Sequence, residues 1–383
     1  MVFLLQISTS FGVEPTQIFV QVSKKVIPSV VNIYTTSIVK SPWQAYEGGP
    51  HDMWRHFFGE DFFGSPFGDD SHDYRQQPRA VPKRPQQKAT SLGSGFIIET
   101  SSLGGLILTN HHVIANADEI KVHFTEEVDE KETPAEIIGL DPDLDIALLK
   151  VQTKRKIEAL PLGDSDKLEV GEWIAAIGNP FGHGHTVTKG IVSAKERSLP
   201  GGFGKYLQVD APINPGNSGG PLVNLKAEVV GINNAIDARG PGIGFAIPIN
   251  SIKTLLPQLK TKGKIERGYI GISVGELNEE LALALKLKSD LKAPIITQVV
   301  PGKPAHRAGL QAYDVVTAVN GGPVRNPNDL ILTITNIPIG KIASIKIIRQ
   351  GKEKNFEVKV EKRPDYQSEH QPQHQQRRRG FGR

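Results

Sequence analysis

Apolar and polar positions along the chain fall into successive patterns. Pro15 to Val26 places Phe19, Val22 and Val26 on one helical face, which predicts a short helix that Pro28 stops, and Val30 to Ile38 reads as a strand. From Gly93 to about Pro248 the apolar residues come in short runs broken by glycines: GFIIET, GLILTN, EIKVHF, DIALLKV, WIAAIG, TVTKGIVSA, YLQVDA, AEVVGIN and GFAIPI. Many short strands with turn signals and almost no helical periodicity predict an all-β barrel or sandwich. Beyond it, Asn250 or Ser251 is placed to cap a helix carrying Ile252, Leu255, Leu256 and Leu259 on one face, kinked at Pro257, and the basic TKGKIERG reads as a linker. From Gly268 to about Lys362, strands GYIGISV, PIITQVV, VVTAVNG, SIKIIRQ and FEVKVE alternate with helical stretches near Leu277 to Lys286 and Asn328 to Thr335, the pattern of a small α+β domain.

Between the first strand and the β-rich block the pattern lapses. Residues 40–90 are rich in Gly, Pro, His, Asp and Gln yet carry Phe57, Phe58, Phe62, Phe63 and Phe67, which predicts a long loop whose aromatics cover a groove as a lid. No run reaches the 18 or so apolar residues that span a bilayer. Residues 1–14 are apolar without a preceding Lys or Arg, so they read as an N-terminal arm or a signal remnant.

Composition narrows the chemistry. With 383 residues the chain holds two or three domains, and with no cysteine it has no disulfide, thiolate metal site or cysteine nucleophile. The formal charge of +4 invites a nucleic-acid reading. Residues 363–383 hold five arginines against Asp365 and Glu369, however, which leaves 40 basic and 39 acidic residues for the rest. A nearly neutral body excludes a nucleic-acid groove, and the tail reads as disordered and solvated.

Three segments of the β block carry candidate chemistry. In LTNHHVI a strand ends in His111 and His112; in DPDLDIALLKV, Asp145 opens a buried strand; in NPGNSGGPLV, glycines surround Ser218 so that the backbone turns tightly and its amides converge beside the hydroxyl. A serine hydroxyl is a weak nucleophile that needs a neutral imidazole to take its proton and a carboxylate to orient that imidazole. Strand alternation lets only one of the two histidines face the serine. Asp141 and Asp143 read as turn residues, and His183 and His185 as loop residues with no metal partner.

Taken together, TNHHV, DLDIALLK, GNPFG and NPGNSGGPL resemble the HtrA (DegP/DegQ/DegS) serine proteases. That resemblance implies a chymotrypsin-like double β-barrel with His112 as general base, Asp145 orienting it and Ser218 as nucleophile. It implies an oxyanion hole at Gly216, Asn217 and Ser218, formed by the amides of Gly216 and Ser218. Asn217 stands where secreted trypsin-like enzymes have the Asp that pairs with a freed N-terminus. The resemblance therefore implies another switch, the ordering of loops near Gly178 to Gly184, Ile191 to Lys205 and Asn233 to Gly240. GIGFAIP is similar to the segment beside which an extended peptide adds as a strand, at Ile243, Gly244 and Phe245, and its apolar side chains imply cleavage after small or medium aliphatic residues.

The second module resembles a PDZ domain through GYIGI and PGKPAHRAGLQAYDVVTAVNG. Tyr269, Ile270, Gly271 and Ile272 match the loop that captures a peptide carboxylate. Tyr313 departs from the pattern, standing where Gly usually precedes the Asp. The expected organisation is residues 1–14 as arm, 15–262 as trypsin-like protease domain, 263–362 as PDZ domain and 363–383 as basic tail. The expected function is ATP-independent endoproteolysis of unfolded or misfolded proteins in the periplasm or another extracytoplasmic space, without metal or other cofactor. Expected partners are unfolded substrates and C-terminal peptides, with assembly as a homotrimer or an oligomer of trimers. A holdase chaperone or peptide-binding scaffold is the alternative.

Overall fold

A computed structural model describes residues 15–38, 88–124, 132–179, 184–199, 203–214, 216–236 and 242–364. The chain divides into two compact units, Met1–Ile265 and Glu266–Arg383. Most of the expected 40–90 loop, with its phenylalanines, lies outside the described residues, as do the arm at 1–14 and most of the tail. The loop's last expected residues, from Lys88, already belong to a strand.

The first unit opens with helix α1 (Pro15–Val26). A closed six-stranded barrel follows, made of β1 (Val30–Ile38), β2 (Lys88–Ser101), β3 (Gly104–Thr109), β4 (Glu119–His123), β5 (Thr133–Asp141) and β6 (Ile146–Gln152) in the order β1-β2-β3-β6-β5-β4. The second closed barrel contains β7 (Trp173–Gly178), β8 (Thr186–Arg197), β9 (Tyr206–Val209), β10 (Pro221–Asn224), β11 (Val229–Ile236) and β12 (Gly244–Pro248) in the order β10-β11-β12-β9-β8-β7. This is the chymotrypsin-like double β-barrel.

The continuous apolar runs have a physical reason. In β6, Ala147, Leu149 and Val151 fill the first barrel, while Ile146 and Leu148 join a core that also holds Ala175, Ile177, Val223 and Ile232 of the second barrel. In β7, Ile174 and Ala176 point into the second barrel and Ala175 and Ile177 away from it. Strands covered on both faces have no polar side to show, so alternation disappears from their sequence. Each buried Val, Leu or Ile among them contributes about 1.5–3 kcal/mol by leaving water.

Several expectations about local structure need correction. The helix after the barrels is two helices, α3 (Ile249–Lys253) and α4 (Leu256–Lys262), because Pro257 has no amide for the turn before it and fits only the start of a new helix. Asn250 caps neither of them; its side chain donates to Asp164 at 2.7 Å. His111 and His112 do not end a strand: β3 stops at Thr109, and His111–Ile114 forms one helical turn, α2. Asp141 is the buried last residue of β5 rather than a turn residue. Parts of the expected switch loops are also strand, since β8 runs to Arg197 and β11 to Ile236.

The second unit pairs β13 (Gly268–Tyr269) with β20 (Glu361–Lys362) and builds a sheet from β14 (Ile272–Glu276), β15 (Pro294–Val299), β16 (Val315–Val319), β18 (Ile342–Arg349) and β19 (Lys352–Lys359). The short β17 (Gly322–Pro323) pairs with β16. Its helices are α5 (Glu279–Ala284), α6 (Pro304–Ala308) and α7 (Pro327–Thr335). The sequence pattern does not foresee α6, which five residues carry between Lys303 and a left-handed Gly309. Asp314 is fully buried and held by both Arg349 Nε and Nη2, at 2.6 and 2.7 Å.

Candidate active site

The described site lies where the two barrels meet. The turn Pro142–Asp145 brings the chain from β5 into β6, and Asp145 ends it in the left-handed region at φ 55°, a conformation that Asp tolerates better than most residues. That turn aims the carboxylate back at α2. Asp145 Oδ1 accepts the backbone N–H of His112 at 2.8 Å, and Oδ2 lies 2.6 Å from His112 Nδ1. An ionised carboxylate only accepts, so Nδ1 carries the hydrogen and Nε2 is left as the basic nitrogen. The Asp145 carbonyl takes the Asn110 side-chain amide at 2.9 Å and the His111 amide at 3.1 Å. The helical turn, rather than strand alternation, separates the two histidines: His112 is buried against Asp145, and His111 is half-buried. Burial pushes the His111 imidazole below its ordinary range, partly opposed by the Asp145 charge.

Ser218 comes from the second barrel, in the turn that precedes β10, and is fully buried. The turn is tight enough to demand glycine. A Cβ on Gly219, at φ 82°, would sit 2.2 Å from the Ser94 carbonyl oxygen and 2.3 Å from Thr109 Oγ1. Within the turn, the amides of Asn217, Gly219 and Gly220 are spent on the carbonyls of Asn214, Asn233 and Asn217, each at 3.0 Å. Asn217 therefore adds no amide to an oxyanion hole. Among the described residues, the amides of Gly216 and Ser218 have no protein acceptor.

Asn234 is a site residue that the sequence reading missed. Its Nδ2 donates to Asp145 Oδ2 at 2.7 Å, and its carbonyl accepts from Ser218 Oγ at 3.3 Å, so one β11 residue touches both the carboxylate and the hydroxyl. The signal was present in GINNAI: two consecutive asparagines inside an apolar strand, both buried. A buried amide needs partners, and here they are the site. Tyr206 on β9 is also nearby; burial, with the Asp145 charge second, pushes its phenol up to about 12.

The sequence matches the trypsin-like peptidase domain family over residues 93–232 and the PDZ domain family over residues 268–360. A probable periplasmic serine endoprotease DegP-like of Pseudomonas putida GB-1 is 41% identical over 370 residues, covering 94% of this chain and 73% of that protein. The chain belongs to the HtrA family of DegP-like serine endoproteases. An HtrA relative from Hahella chejuensis, also named DegP-like, is 41% identical over 356 residues, 90% of this chain and 70% of its own. Among solved structures, the HtrA-type protease AlgW with decapeptide superposes with a TM-score of 0.70 at 33% identity, covering 91% of this chain and 99% of that one. The serine endoprotease from Yersinia pestis does so with 0.60 at 27%, covering 90% and 98%. The chain is a serine endopeptidase, and its expected periplasmic placement agrees with the names of these HtrA relatives.

One expected contact of an HtrA substrate is contradicted by the pairing. Gly244 and Phe245 are paired on one side with Ile236 and Ala235 and on the other with Val209 and Gln208, so a peptide has no free edge beside them. Ile243 precedes the strand. Gly244 instead packs closely on Ile213: a Cβ there would meet Cγ1 at 2.7 Å, so the position is filled. Of the two loop histidines, His183 lies outside the described residues, and His185 Nε2 lies 3.1 Å from the Val30 carbonyl.

In the second unit, Tyr269 pairs with Glu361, while Ile270 and Gly271 turn their carbonyls to the amides of Ala305 and Val300, at 2.8 and 2.9 Å. Gly271 has φ 80°, and a Cβ there would meet Lys303 Cβ at 2.3 Å. Ile272 begins β14, the edge strand of its sheet, against which α7 packs.

Proposed function

We propose that this protein is an ATP-independent endopeptidase that cleaves unfolded or misfolded proteins through an acyl-enzyme. Ser218 is the nucleophile, His112 the base and Asp145 the group that fixes its tautomer. The observation that carries this reading is the two-point grip of Asp145 on His112, at 2.8 and 2.6 Å, beside a serine held in a glycine turn. Ser218 Oγ gives its proton to His112 Nε2 as it attacks the scissile carbonyl, and the imidazolium returns a proton to the leaving amine. The amides of Gly216 and Ser218 stabilise the oxyanion, about 2.7–4 kcal/mol for each donor in comparable enzymes. Water then hydrolyses the ester with the same proton transfers reversed.

The substrate strand fits beside Asn234 to Ile236, not beside Gly244. There β11 has passed its pairing with β10, which ends opposite Ile232, and among the described residues no strand pairs with its outer edge next to Ser218. The apolar side chains of Ile243 and of Phe245, which pairs with Ala235, support cleavage after small or medium aliphatic residues. The free edge of β14 and the turn at Ile270 and Gly271 suit the C-terminal end of an extended peptide, which supports the PDZ module as a peptide-responsive regulator of loops around the site. For a homotrimer or larger assembly, the support is the half-exposed pair Val20 and Trp173 beside Phe19, which packs edge-on to Trp173.

Casein digestion by the wild type and by Ser218→Ala tests the protease reading, with aggregation suppression measured on both. Cleavage lost in the variant is expected; an inactive wild type that still suppresses aggregation would favour the holdase instead.

A further inference from the structure

Ser94 lies on β2 in the first barrel, fully buried, and belongs to none of the groups above. Its backbone is fixed, because its amide donates to the Ser218 carbonyl at 2.9 Å and its carbonyl accepts from Thr109 Oγ1 at 2.7 Å. Its hydroxyl accepts the Asn179 amide at the end of β7, at 2.8 Å, and so directs its single hydrogen to the Gly216 carbonyl. The peptide group joining Gly216 to Asn217 is thereby held at both ends, its C=O by Ser94 and its N–H by the Asn214 carbonyl at 3.0 Å.

That peptide separates the two amides assigned to the oxyanion. Gly216 sits at φ 100°, where glycine rotates at little steric cost, so within the turn the peptide is held only through its N–H on Asn214, and its carbonyl is held from outside by Ser94. An acceptor swung toward the oxyanion would repel it and misalign the donors. We propose that Ser94 is a positioning residue that locks the oxyanion-binding turn in its donor-outward arrangement from the opposite barrel. The proposal rests on the reading of Ser218 as nucleophile.

The test uses the full chain with Ser94→Ala and Ser94→Cys, the thiol keeping a weak donor of similar size. Turnover of a small aliphatic peptide anilide is compared with inhibition by the matching peptide aldehyde, which forms an oxyanion, and by the matching alcohol, which does not. For Ser94→Ala, kcat falls about tenfold to a hundredfold with KM within about twofold, and the aldehyde weakens by a similar factor while the alcohol does not. Ser94→Cys falls between it and the wild type. A kcat within about twofold of wild type would overturn the proposal, as would a loss that follows the folded fraction seen by circular dichroism or a failure of both variants to fold. Ser218→Ala is run in parallel: turnover persisting there counts against the nucleophile, whereas its loss beside a fully active Ser94→Ala counts against Ser94 alone.

Discussion

At the scale of single residues, the site is a set of buried polar groups oriented by a few specific bonds. Asn234 donates to the same Asp145 Oδ2 that lies against His112 Nδ1, so Asn234→Ala removes a bond that orients the base's partner. It is expected to lower kcat about tenfold with little change in KM, measured on a small peptide substrate; an equal loss in KM alone would contradict this. His111 gives a pH signature. Burial lowers its folded-state pKa below the ordinary 6.5, so the unfolded chain takes up the proton first and stability falls as pH drops below about 6.5. Melting temperatures from pH 7 to pH 5 are expected to fall more steeply for the wild type than for His111→Gln. Parallel curves would refute that.

At the scale of elements, strand runs were legible and several of their ends were not. Helix α1 and strand β1 were foreseen residue for residue, because each has a clean period and a proline between them. His111 and His112 read as strand because LILTN is strand; only the turn at Asp145, which accepts the His111 amide, shows why the chain coils there. Ser94 and Asn234 were missed for a related reason. Their partners lie 122 residues away at Gly216, and 89 residues away at Asp145, beyond the reach of any local pattern. Tyr313 was legible as a departure, and it adopts φ 70° with its ring exposed. Relief of left-handed strain is worth about 1–2 kcal/mol, less what glycine costs in the unfolded chain. Tyr313→Gly is therefore expected to stabilise the second unit by up to about 1 kcal/mol, read in the full chain as slower hydrogen exchange of β15 and β16 amides. Faster exchange would show that the ring makes a contact worth more than the strain.

At the scale of the whole molecule, each unit closes its own core, and a buried ion pair in the second unit offers a test of that independence. Arg349→Met strands the Asp314 carboxylate and is expected to cost that unit about 3–5 kcal/mol. If turnover of a small substrate then stays close to wild type, the barrels hold the chemistry by themselves. Both units were legible as modules, through motifs whose order along the chain carries more information than any one of them. The chemistry assigned to the barrels converges on one oxygen atom.

A serine-directed fluorophosphonate followed by peptide mass spectrometry tests that assignment most directly. A single adduct on the peptide bearing Ser218 is expected, absent in Ser218→Ala and formed at least about a hundredfold more slowly in His112→Ala. An adduct on any other residue, with cleavage of casein persisting in Ser218→Ala, would contradict the account.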